Sequence, residues 1–142
     1  MAKGVGTIEL PKPPEQVWAL LTNRTRYGEW LTVHAAWDGG SATGFEVGAT
    51  FTQRLQLDGP PAPVVWIVTT YEPGANLELS GRGATDFRAR LSYTVAATRS
   101  GSVVELVLEL FGGALDGSVG KLIEPGLCRE MTRSLRKLAE LN

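Results

Sequence analysis

The sequence predicts an α+β domain, an antiparallel sheet with one long C-terminal helix laid across it. Strand-like segments follow one another from about His34 to Phe111 with no intervening helical pattern. Runs of consecutive strands, rather than β-α-β alternation, select antiparallel over parallel sheets. After them, Leu115, Val119, Leu122, Ile123, Leu127, Met131, Leu135 and Leu138 recur three or four apart up to Leu141, the apolar stripe of one helix. A helix of that extent runs about 39 Å, enough to cross a small domain. Between the first strand and the run of strands, two short helices are expected.

In chain order, Val5, Thr7 and Glu9 alternate with Gly6, Ile8 and Leu10 in a first strand that ends at Pro11. Pro13 and Pro14 open a helix where a missing N–H costs nothing, with Val17, Leu20 and Leu21 as its buried stripe. Asn23 stops it and caps the next turn, Arg24 to Trp30. The segment Ala49 to Leu57 places Phe51, Gln53, Leu55 and Leu57 on one face before the Gly59-Pro60-Pro61 turn. Val64 to Tyr71 is apolar on both faces, so its periodicity leaves open whether Trp66 points inward. Pro73-Gly74 ends it, and Leu77 and Leu79 mark a short strand. Phe87, Ala89, Leu91, Tyr93 and Val95 then share one face, opposite Arg88, Arg90, Ser92 and Thr94. The turn Arg99-Ser100-Gly101 leads to a strand with Val104, Leu106, Leu108 and Leu110 inward and Glu105 and Glu109 outward. Gly112-Gly113 releases the chain into the last helix, with Asp116 or Ser118 as N-cap, and Pro125 inside that helix predicts a kink.

The 142 residues make one domain, 1–142, large enough to bury a core without staples. Fourteen basic against 15 acidic residues leave a net charge of −1. That balance leaves no electrostatic footprint for nucleic acid or an anionic membrane. Apolar runs such as Val64 to Val68 are too short to span a bilayer, so no integral membrane contact is expected. The opening Met1-Ala2-Lys3-Gly4 has no signal-peptide core. The single cysteine, Cys128, suits a reducing compartment, so the cytoplasm is the expected location.

Residues that carry chemistry are few. His34 has no metal-ligand neighbours at a suitable spacing, and no nucleophile elbow or phosphate loop is present. Neither metal nor cofactor is expected. Cys128 reads as a small core residue. The densest cluster is Tyr27, Trp30, His34 and Trp37, which either lines a pocket entrance or packs the short helices onto the sheet. Gln53 sits on an otherwise apolar face and requires a polar partner, which a ligand would be one way to supply. Tyr93 is a further polar tip on an inward face. The small residues Gly120, Gly126, Cys128 and Ser134 on the last helix allow either close packing or open space.

The element order, the proline-started first helix and the long last helix resemble the START-like helix-grip superfamily (SRPBCC), which includes polyketide cyclases and lipid-transfer domains. Locally, Pro14-Glu15-Gln16-Val17-Trp18, Tyr27 through Trp37, Glu46-Val47-Gly48 and Thr70-Tyr71-Glu72-Pro73-Gly74 resemble a small actinobacterial branch. Some members of that branch are described as the toxin half of a toxin–antitoxin-like pair. The resemblance implies a curved sheet wrapped around the long helix, with a pocket between them. In that pocket the residues Tyr27, Trp30, His34, Gln53, Trp66, Leu91, Tyr93, Leu127 and Met131 would contact a ligand. The function implied first is non-catalytic binding of a lipid, polyketide-like or other planar apolar molecule. Polyketide cyclase or dehydratase chemistry is one alternative, and a toxin-like role with a small antitoxin-like partner is another. Polyketide aromatases place an arginine inside the cavity. Here strand parity shows no clearly inward arginine, and Arg54 falls outward.

Overall fold

The structure, a computed structural model, describes residues 1–38, 45–57 and 59–141. Strand β1 (Ala2–Leu10) is followed by helix α1 (Pro14–Leu21), a 3-10 turn (Arg24–Arg26) and the single turn α2 (Tyr27–Trp30). Six strands come next: β2 (His34–Asp38), β3 (Thr50–Leu55), β4 (Ala62–Glu72), β5 (Asn76–Arg82), β6 (Arg88–Ala97) and β7 (Ser102–Phe111). A second 3-10 turn (Gly113–Asp116) precedes helix α3 (Ser118–Ala139). All seven strands form one antiparallel sheet in the order β1-β7-β6-β5-β4-β3-β2. It curls into a half-barrel around α3, the helix-grip arrangement.

The short elements form where local chemistry dictates. Pro14 sits at the start of α1, and the Asn23 side chain accepts the Thr25 N–H at 3.2 Å to start the turn after it. In β6 and β7 the pairs Leu91–Leu108, Tyr93–Leu106 and Val95–Val104 face one another, and all six residues are buried. Register settles the ambiguous strand. Trp66 pairs with Phe51 and Val68 with Leu79, which turns Val64, Trp66 and Val68 inward and leaves Val65 and Ile67 exposed.

Two expectations are corrected. Leu57 lies past the end of β3 and is exposed, because the strand stops before the turn that alternation would have extended. The long helix starts at Ser118, and neither Asp116 nor Ser118 caps it. Gly117 occupies the cap position with an extended backbone, and the Asp116 carboxylate instead accepts the Gly112 N–H at 3.2 Å.

Helix α3, about 33 Å long at 1.5 Å per residue, lies against β1, and glycine makes the approach close. A Cβ at Gly4 would stand 2.6 Å from the Leu127 Cβ, and one at Gly6 would stand 2.8 Å from Met131 backbone. The first part of the β1 edge is closed by the same helix. The Glu124 carboxylate accepts the Lys3 N–H at 2.9 Å, and the Cys128 sulfur accepts the Val5 N–H at 3.4 Å. Residues four apart on a helix are about 6 Å apart, close to the two-residue repeat of a strand. Edge N–H groups that would otherwise recruit another strand are thereby covered.

Candidate functional site: a groove along the long helix

The apolar stripe of α3 divides into two halves. Leu127, Met131, Leu135 and Leu138 are buried, whereas Val119 is exposed and Leu122 is 77% exposed. Beneath that N-terminal half lies a cavity of about 440 Å³, walled by Leu57, Phe87, Leu110, Leu115, Leu122, Ile123, Pro125, Gly126, Leu127, Arg129 and Glu130. A second cavity, about 400 Å³, lies toward the C-terminal half and is walled by Gly28, Trp30, Leu31, Thr32, His34, Gln56, Leu57, Gly59, Glu130, Arg133 and Lys137. Leu57 and Glu130 border both. The two volumes therefore adjoin along one face of α3, one end apolar and the other polar. The small residues of α3 also divide. Gly120 is packed against the backbone of Leu115 and Met1, while Gly126 borders the apolar cavity with the Arg129 side chain 3.7 Å from its missing Cβ.

Some polar groups around the second cavity have defined partners. The Thr32 hydroxyl meets a Glu130 carboxylate oxygen at 2.6 Å, and the other oxygen accepts from Arg133 at 2.9 Å. The Trp30 indole N–H is buried and has no hydrogen-bond partner among the described residues. Trp66 Nε1 donates to Gln53 Oε1 at 2.9 Å, which aims Gln53 Nε2 at His34 Nδ1, 2.6 Å away. His34 must accept there, which leaves its ring proton on Nε2. Burial lowers the His34 pKa below its ordinary value and favours the neutral ring.

A tyrosine pair lies in the buried interior. The hydroxyls of Tyr27 and Tyr93 meet at 2.5 Å, and Tyr93 donates to the Leu21 carbonyl at 3.2 Å. Burial raises both phenol pKa values, so neither ionises in the neutral range. Beside them Arg24, only 6% exposed, lies over the rings of Phe51 (4.4 Å), Trp37 (5.3 Å) and Phe45 (5.4 Å). Desolvation lowers its pKa, while the neighbouring Tyr27 and Tyr93 act in the opposite direction. An inward arginine is therefore present, contrary to the reading from strand parity. It enters from a helical turn, where parity has nothing to report. The only sequence signal was the density of aromatic residues around it.

Of the nine predicted site residues, Trp30 and His34 border the polar cavity and Leu127 borders the apolar one. Tyr27, Gln53, Trp66, Leu91, Tyr93 and Met131 belong to the packed interior and border neither half of the groove. Sequence reasoning missed Phe87, Ile123, Arg133 and Lys137, whose positions depend on how α3 lies over the sheet.

Comparison with known proteins settles the family. The family model described as "Polyketide cyclase / dehydrase and lipid transport" matches residues 1–141. The chain belongs to that family. Within the wider set of relatives, a Mycobacterium tuberculosis protein named Toxin Rv0910 is 33% identical over 136 residues, covering 96% of this chain and 94% of the relative. The uncharacterized protein Rv1546 of the same organism is 28% identical over 135 residues, covering 95% and 94%. Protein MLL2253 from Mesorhizobium loti superposes with a TM-score of 0.72 at 20% identity, covering 97% of this chain and 94% of that one. DynU16, from the dynemicin biosynthetic locus, superposes with a TM-score of 0.68 at 16% identity, covering 98% of this chain and 46% of that one. At such identities the solved structures show the fold alone. No helix among the described residues is long and apolar enough to cross a membrane.

Proposed function

We propose that this member of the polyketide cyclase/dehydrase and lipid transport family binds a small amphipathic molecule in the groove along α3 and performs no reaction on it. The apolar part of a lipid or polyketide-like ligand would occupy the cavity under Leu122 and Ile123. Its polar end would meet His34, Arg133 and Lys137. The observation that carries this reading is the apolar cavity of about 440 Å³, within the usual size range of small-molecule sites. Burial of ligand surface there contributes about 25 cal/mol per Å², less the cost of immobilising the ligand. The non-catalytic reading is supported by the side chains at hand. Glu130 is engaged by Thr32 and Arg133, and the tyrosine pair is sealed in the core. The cytoplasm suits a chain with one half-buried free cysteine.

A second reading, a toxin-like protein with a small antitoxin-like partner, is favoured by one observation, the name carried by the 33% identical relative.

Titration with a dansyl-labelled fatty acid tests the first reading. Wild type should bind saturably, and Ile123→Trp should abolish binding while the variant still melts cooperatively. Leu91→Trp, in the packed core, should instead destabilise by about 1–3 kcal/mol. Saturable binding that survives Ile123→Trp undiminished would overturn the placement of the ligand.

A further inference from the structure

On the opposite side of the sheet from α3, cross-strand register builds a second surface. Along one rung, Val65, Arg82, Arg88 and Phe111 are successive neighbours. Along the next, Ile67, Ser80, Arg90, Glu109 and Lys3 follow one another. These two rungs bring four cations together against a single carboxylate. Like charges directly opposite in a sheet are destabilising, yet Arg82 faces Arg88. Arg90 is paired with Glu109 only loosely, at 3.7 Å. Arg82 and Arg88 form no ion pair among the described residues, although Asp116 lies close enough to Arg88 to feel its charge. The arginines are held in place nonetheless. The guanidinium groups of Arg88 and Arg90 lie over the same Phe111 ring, at 5.8 and 5.9 Å, and with Arg82 they surround a depression of about 280 Å³. Beside it, Val65 is 52% and Ile67 41% exposed.

From this we infer that the outer face of β4–β7 is a docking surface for a partner protein, through an acidic segment that also carries apolar residues. Guanidinium groups prefer carboxylates, which they meet with paired N–H donors. The excess of positive charge on the two rungs calls for an occupant of the opposite sign. Val65 and Ile67 alongside add apolar area that a phosphate backbone or a free anion would leave in water. The charge repulsion between Arg82 and Arg88 is what an acidic occupant would relieve. This surface lies apart from the groove and does not depend on the ligand reading.

Fluorescence anisotropy with a labelled synthetic peptide of Glu, Leu and Gly tests the inference. The comparison probes are the same peptide with Lys for Glu, a single-stranded RNA and phosphatidylglycerol vesicles. Wild type should bind the acidic peptide, more weakly as salt rises, and should not bind the basic one. Combining Arg82→Gln with Arg88→Gln should weaken binding at least about tenfold while leaving the thermal midpoint unchanged or raised. Combining Val65→Ser with Ile67→Ser should also weaken it. No binding of the acidic peptide, or binding indifferent to the two arginines, would overturn the proposal. Arginine-dependent binding of RNA or vesicles in preference to the peptide would equally overturn it, by assigning the face to a different class of partner.

Discussion

Gln53 shows how a single polar residue is made compatible with a core. Its side-chain oxygen accepts the Trp66 indole N–H and its amide donates to His34, so three elements are tied through one buried group. Replacing it with leucine keeps the volume and strands both partners. An unsatisfied buried donor costs about 1–3 kcal/mol, and Gln53→Leu should lower stability by that order in chemical denaturation. A change in Trp66 fluorescence should accompany it. Loss of stability with no spectral change at Trp66 would place the cost elsewhere. Requirement for a partner at Gln53 was legible from the alternation around it. Which partner was not, because Trp66 and His34 reach it across the β3–β4 and β2–β3 pairings, whose registers no single strand records.

At the scale of elements, β1 and α3 are fitted to one another. Gly4 and Gly6 let the helix approach, and Glu124 and Cys128 then reach the strand's free edge. The two features depend on the same distance. Gly6→Ala would drive a methyl group into the Met131 backbone, which cannot turn aside as a side chain can. Overpacking of this kind typically costs about 1–3 kcal/mol. The lifted helix should also release the Lys3 and Val5 amides to faster hydrogen exchange. A neutral Gly6→Ala with both amides still protected would show that the helix shifts freely. Strand alternation gave β6 and β7 their faces without help. For β4, apolar on both sides, only pairing with β3 and β5 decided the inward face.

Across the whole molecule, stability and function occupy different parts of the long helix. The apolar face from Leu127 to Leu138 is buried against β1 and α2, whereas the half from Val119 to Gly126 roofs the apolar cavity and presents Leu122 to solvent. Local opening free energy follows burial. Amides around Met131 to Leu138 should therefore exchange only through global unfolding, and those around Leu122 to Gly126 through smaller openings. Pro125 leaves one helical hydrogen bond unmade at that junction. A bound apolar ligand should slow exchange selectively in the N-terminal half. Uniform protection along α3 in the ligand-free protein would remove the division on which the groove reading rests.

Fold class, element order and the inward faces of the alternating strands were legible in the chain. These follow from periodicity, turn residues and proline placement, which act over a few residues. Where space remains depends on how the elements pack. Tyr27, Tyr93, Trp66 and the inward Arg24 are all buried, the two hydroxyls meeting one another and the guanidinium lying over Phe51. Open volumes border α3 toward both its N-terminal and its C-terminal halves. A cavity is the difference between what the backbone encloses and what side chains from many elements fill, and no local pattern encodes that difference.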